Sequence, residues 1–250
     1  MNTKINYIHT QNTHNTQAAE AFLPILFKEV GRPDSVVDVG CGIGTWLSVF
    51  KEQGVNIVLG IDGSNVDLNQ LHIDRSEFAA YDLSEPISLD RRFELAVCLE
   101  VAEHLPEASA DVLVTTLCDL SDKILFSAAM PSQGGQNHLN EQFFDYWKTK
   151  FNQKGYIGKD LFRAKIWNES QIDPWYRQNM FFLERVQQVP ITQEKINAYY
   201  HPEIYANKHS LYSKSVTAKQ KLANGEISIL SALKILYKSI VFNSQKMLGK

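Results

Sequence analysis

Val36-Val37-Asp38-Val39-Gly40-Cys41-Gly42-Ile43-Gly44-Thr45-Trp46 decides how this chain folds. An apolar run carrying one acid breaks into three glycines at alternate positions. The pattern predicts a buried parallel strand, a tight loop and the start of a helix. Glycines there let a ligand approach the backbone without side-chain obstruction. A loop at the carboxyl end of a parallel strand lies where open α/β sheets bind ligands. The expectation is a small-molecule cofactor site at this turn.

Outward from this turn, apolar strands and amphipathic helices alternate. Helix is predicted for Thr16–Val30, Thr45–Gln53, Ala108–Leu120 and Asn140–Lys154. Strand is predicted for Val36–Gly40, Asn56–Asp62, Glu77–Asp82, Phe93–Glu100 and Lys123–Ala129, followed by a late pair, Phe162–Trp167 and Met180–Val186. Such alternation argues for a parallel sheet covered by helices on both faces. The late pair, with no helix between its members, is expected as an antiparallel edge hairpin. A last helix, Glu226–Leu248, carries Ile229, Leu233, Leu236 and Ile240 in one stripe beside Lys234, Lys238 and Lys246. The division expected is a cofactor-binding domain over 1–190 and a basic helical extension over 191–250.

Composition narrows the class. At 44% hydrophobic residues the 250-residue chain can bury a sizeable core. No apolar run reaches the roughly 18 residues of a membrane span, and polar Asn2, Thr3, Lys4 and Asn6 do not open a signal peptide. Cys41, Cys98 and Cys118 all fall in apolar segments, which suits a reducing compartment better than a disulfide frame. The expected location is therefore cytoplasmic. The net charge of −3 hides an asymmetry: residues 1–200 carry 17 basic and 26 acidic side chains, and residues 201–250 carry eight lysines against two glutamates. An acidic main domain argues against nucleic acid as a partner.

The glycine spacing narrows the cofactor. A dinucleotide fingerprint needs G-x-G-x-x-G/A. Gly40 and Gly42 fit it, but Thr45 takes the third slot and the extra glycine comes early, at Gly44. The D-x-G-C-G-x-G spacing resembles motif I of the class I S-adenosylmethionine-dependent methyltransferases, and the resemblance extends over roughly residues 20–187. It implies a Rossmann-like, seven-stranded, mostly parallel sheet with an antiparallel edge hairpin. It implies S-adenosylmethionine held by Asp38, Gly40, Cys41, Gly42, Gly44 and Trp46 around its methionine part. Asp62, with Gly63 beside it, would accept bonds from the ribose hydroxyls. Asp82 would accept the adenine amine, with the Leu83 amide reaching a ring nitrogen, and Glu100 would border the same crevice. Asp62 as a solvated turn residue and Asp82 as a cap stay open as alternatives.

Leu99-Glu100-Val101-Ala102-Glu103-His104-Leu105 ends the fourth strand. Glu100, Glu103 and His104 stand at i, i+3 and i+4, one face of a helical turn if a helix starts there. The run resembles the E-x-x-E-H segment of ubiquinone-biosynthesis O-methyltransferases and small-RNA 2′-O-methyltransferases. That resemblance implies a divalent metal, Mg²⁺ or Mn²⁺, on Glu100, Glu103 and His104, joined by His138 after the fifth strand. Mixed carboxylate and imidazole ligands favour a transition metal. A second reading makes His104 or His138 the general base with no metal. A third leaves Glu103 as a cap and His104 as packing.

Aromatic and amide residues around His138–Gln142, Tyr146-Trp147 and Asp173–Asn179 suit a glycan-type small-molecule acceptor, since Trp and Tyr faces stack on sugars. Phe143, Phe144 and Trp147 read as core, and Trp175-Tyr176-Arg177 as acceptor-facing loop. These segments resemble methyltransferases of surface-polysaccharide biosynthesis. The function expected is O-methylation of a sugar-containing or lipid-linked acceptor. N- or O-methylation of a quinone-like metabolite, or a cofactor-binding scaffold subunit of a glycan assembly complex, stays open. The final helix suits packing or homodimerisation, or peripheral contact with an inner membrane.

Overall fold

The computed structural model describes residues 15–191, 193, 196–226 and 228–247. The polar N-terminal residues 2–6, the end of the last helix at Leu248 and the side chain of Lys246 lie outside that description. The chain divides after Ile204 into two units.

The first unit is built on one seven-stranded Rossmann-like sheet. Its strands are β1 Ser35–Val39, β2 Ile57–Asp62, β3 Phe78–Ala80, β4 Leu95–Leu99, β5 Lys123–Ser127, β6 Tyr156–Lys159 and β7 Phe181–Arg185, in the order β3-β2-β1-β4-β5-β7-β6. β1 to β5 pair in parallel, and β7 runs antiparallel between β5 and β6. Strand order turns back between β1 and β4, so a crevice opens beyond the carboxyl ends of those two strands.

Both sheet faces are covered, which explains why β1 and β4 read as unbroken apolar runs. Side chains alternate between two cores. Val37, Val39, Ala96, Cys98, Ile124 and Phe126 face one core with helices α3 (Ala110–Leu120) and α4 (Phe144–Gln153). Val36, Leu95, Val97, Leu99 and Leu125 face the other with α1 (Gln17–Val30) and α2 (Thr45–Glu52). All three cysteines are buried thiols without disulfides.

Three expectations need correction. Phe162–Trp167 is not a strand: Arg163–Ile166 forms the short helix α5, and β6 comes earlier, at Tyr156–Lys159. The apolar residues misled because Phe162 and Ile166 are fully buried one helical turn apart. The helix expected from Asn140 begins at Phe144, because Asn140 and Gln142 amides are committed to Glu103 and Ala129 carbonyls in an irregular loop. Phe144, Trp147 and Phe151 are core, while Phe143 is exposed.

The second unit holds most of α7 (Pro202–Ala223) and all of α8 (Ile229–Met247). No helix among the described residues is long and apolar enough to cross a membrane.

Candidate active site at the β1–β4 crevice

The glycine loop turns as its spacing demands. Gly40, Gly42 and Gly44 all take positive φ, at 90°, 54° and 80°. A side chain at Gly40 would also collide with Val101, whose Cγ2 lies 2.2 Å from the ideal Cβ position. Gly44 caps the N-terminus of α2, leaving backbone amides directed toward the crevice. Trp46, in the first turn, is buried and meets Tyr176 edge-on at 5.3 Å.

Asp62 ties β2 to this loop. Its Oδ2 accepts from the Gly42 amide at 2.6 Å and its Oδ1 from the Gly63 amide at 2.6 Å. Asp38 is buried beneath the loop, and burial, with Asp62 nearby, pushes its carboxyl up to about 8. Burial also raises the Cys41 thiol, so it is a packing group, not a nucleophile. Asp82 is exposed and accepts from the Ser84 hydroxyl and amide, which hold its pKa below the usual range. Leu83 packs against the core.

Across the crevice, Glu100 is a left-handed residue, φ 55°, with its amide bonded to Ser127. Ser132 and Asn137, on the neighbouring loop, also have positive φ, 69° and 56°. Non-glycine residues held there store backbone strain, which clusters at functional sites. Glu100 accepts from Gln133 Nε2 at 2.8 Å and Asn179 Nδ2 at 3.1 Å. Gln178 bonds both amides and accepts from the His201 backbone, closing a buried network. Burial raises the Glu100 carboxyl, and these donors oppose the rise.

Glu103 and His104 lie in the 3-10 turn Ala102–His104. The Glu103 carbonyl accepts from the Leu139 and Asn140 amides at 2.7 and 3.0 Å, which brings the His138 loop onto this turn. The His104 and His138 rings stand 4.8 Å apart, edge to face. His138 Nδ1 is 2.8 Å from Glu141 Oε1, and Glu141 also accepts from the Ser132 and Gly134 amides. Burial acts to raise the Glu141 carboxyl, but these donors leave it lowered overall. Burial, aided by His138, depresses His104 to about 4. Glu103 is fully buried and neither carboxylate oxygen has a hydrogen-bond partner of normal geometry. Burial, then the charge of Glu100, raises it, with weak opposition from its own backbone and that of Ala129.

A model of the methyltransferase domain matches residues 9–157, more than half of the chain. The chain belongs to the methyltransferase-domain family. The magnesium-protoporphyrin O-methyltransferase of Synechocystis sp. (strain ATCC 27184 / PCC 6803 / Kazusa) is 28% identical over 115 residues, 42% of this chain and 48% of that protein. The chain thus aligns with about half the length of that curated relative. A crystal structure of magnesium protoporphyrin IX methyltransferase from Synechocystis PCC 6803 with bound SAH is similar, with a TM-score of 0.53 at 16% identity, covering 72% of this chain and 90% of that one. Streptomyces venezuelae DesVI is similar with a TM-score of 0.54 at 11% identity, covering 70% and 94%. Both show the shared fold.

In this methyltransferase domain the expected ligand set is brought together in part. Glu103, His104 and His138 offer ligand atoms within 4.8 Å of one another. Glu100 is not in that group: its left-handed backbone and its amide partners break the helical turn that would have aligned it. A divalent cation fits the remaining trio. Glu103 has two buried oxygens without donors, His104 is held neutral, and His138 is oriented by a carboxylate, as ligating histidines usually are.

Trp175-Tyr176-Arg177 sits in helix α6 (Pro174–Asn179), not a loop. Arg177 is buried on the Trp167 carbonyl and Glu203, so it is not offered to an acceptor. Sequence reasoning missed the roles of Glu141, Gln133, Gln178 and Asn179. The His138-x-x-Glu141 spacing was a usable signal for the first; the other three carry no local one.

Proposed function

We propose that this chain transfers the methyl group of S-adenosylmethionine to a hydroxyl of a small, sugar-containing or lipid-linked acceptor. The observation that carries the reading is the pairing across one crevice of two unlike halves. On one side is the three-glycine loop clamped by Asp62. On the other is the Glu103–His104–His138 cluster. The cofactor half is supported by the family match and by the SAH bound in the related fold. The hydroxyl half is supported by the acid–imidazole chemistry of the cluster.

In the reaction an acceptor oxygen attacks the sulfonium methyl carbon, the C–S bond breaks, and S-adenosylhomocysteine leaves with the electron pair. The sulfonium is already activated, so alignment supplies much of the acceleration. An alcohol must also lose its proton. With Nδ1–H donated to Glu141, His138 presents Nε2 as the basic atom. Asp62, at the end of β2 beside the glycine loop, would supply negative charge toward the cationic cofactor. Glu103, His104 and His138 would hold a divalent ion, and such an ion, when bound, polarises and acidifies a hydroxyl.

Titration calorimetry with S-adenosylhomocysteine against NAD tests the cofactor. Tighter binding of NAD overturns the reading. Metal analysis of the purified protein, with EDTA and Mn²⁺ add-back, tests the ion. Turnover unchanged in EDTA leaves His138 acting as base alone.

A further inference from the structure

α8 carries an apolar stripe that is exposed among the described residues. Every described side chain from Ile229 to Phe242 is exposed. Ile229, Leu233, Leu236 and Ile240, spaced four, three and four apart, are 81%, 57%, 57% and 56% exposed. They lie along one face of the 19-residue helix. Leu230, Tyr237 and Val241 widen the stripe along one flank. Lys234 and Lys238 follow on that same flank, next to Val241 around the helix. A lone helix of this length is marginal in water, so a face this apolar calls for a covering surface.

Charge decides between the candidates. Residues 201–250 hold eight lysines and only two acids, Glu203 and Glu226, neither of them in α8. A second copy of α8 would add further lysines with no acid on either helix to pair them. An anionic surface complements both features at once: lysines meet headgroups while the stripe enters the acyl boundary.

We propose that α8 docks on an anionic lipid bilayer, lying in its interface and holding the methyltransferase domain at the membrane surface. The proposal stands apart from the methyl-transfer reading and can fail without it. Its polar half should be salt-sensitive and its apolar half should not.

Co-sedimentation of the full-length protein with vesicles tests it. Phosphatidylcholine vesicles containing phosphatidylglycerol should pellet the protein, and pure phosphatidylcholine vesicles should not. Lys234→Glu with Lys238→Glu should weaken pelleting by about 25-fold, at about fivefold or more per lysine. Leu233→Glu with Ile240→Glu should abolish it. Lys234 and Lys238 are exposed, so a loss of binding on their substitution is not a loss of core packing; an unchanged circular dichroism spectrum checks both variants. Failure of the full-length protein to pellet with anionic vesicles overturns the proposal, as does equal binding to neutral ones. A dimer in sedimentation equilibrium that Leu233→Glu with Ile240→Glu disperses, with no vesicle binding, assigns the stripe to a second copy instead.

Discussion

Glu103 is fully buried, and neither of its carboxyl oxygens has a hydrogen-bond partner of normal geometry. A group left that way lowers stability by about 1–3 kcal/mol, more when charged. Glu103→Leu, which removes both oxygens, should therefore stabilise the metal-free protein by roughly that amount in urea unfolding, and should abolish Mn²⁺ binding in calorimetry. No gain in stability would mean that the acid is already neutral or solvated. Asp38 gives a second test through pH. Its pKa of about 8 in the folded protein lies far above the ordinary carboxylate value of 3.8. The folded state therefore binds the extra proton, and the stabilisation is full below pH about 4 and lost as pH rises through about 8. Between pH 5 and 8 the wild type should lose stability more steeply than Asp38→Asn. Equal slopes in thermal melts across that range would sink the assignment.

At the scale of elements, the turns at β1 and after β5 do the positioning. At Gly40 a left-handed φ and the contact with Val101 make two separate demands. Gly40→Ala should destabilise by roughly 1–3 kcal/mol from backbone strain, plus the cost of the clash. Adding Val101→Ala should recover only the clash, a separation that urea titrations of the single and double variants can measure. Gly135 has the same relation to the histidine loop, since a Cβ there would fall 2.1 Å from His138 Nε2. Gly135→Ala should displace His138 and weaken Mn²⁺ binding, with little effect on S-adenosylhomocysteine affinity. Equal loss of both ligands would mean that the loop and the cofactor turn are one unit.

At the scale of the whole molecule, the first unit contains every strand among the described residues and both cores. α7 is anchored in that unit at its first turn, where Ile204 is buried and Glu203 meets Arg177. A chain ending at Ala206 should keep its S-adenosylhomocysteine affinity and melt within about 2–4 °C of the full-length protein, the shift of about 1 kcal/mol. A larger fall in a scanning-calorimetry trace would mean that the helical extension supports the fold. The same truncation removes α8 and should abolish vesicle binding.

Much of this was legible in the chain. The strand–glycine–helix turn could be read locally, because positive φ and close backbone approach admit few residues other than glycine. The alternating strands were legible because burial on both faces leaves continuous apolar runs. Asp62 was legible as a site residue from its place at the end of the next strand, but its bonds to the Gly42 and Gly63 amides were not. Other features depended on distant partners. Whether Glu100 joins Glu103 and His104 was set by Gln133 and Asn179, which meet it from far along the chain. That Phe162–Trp167 coils into α5 was set by burial between the sheet and α1, not by its own propensity. His138 became part of the cluster only because the Glu103 carbonyl holds its loop. The sequence by itself determined the sheet and the cofactor turn, since both rest on local backbone preference and hydrophobic period. Only the tertiary structure decided which acids and imidazoles converge, since that depends on hydrogen bonds between segments no local pattern connects.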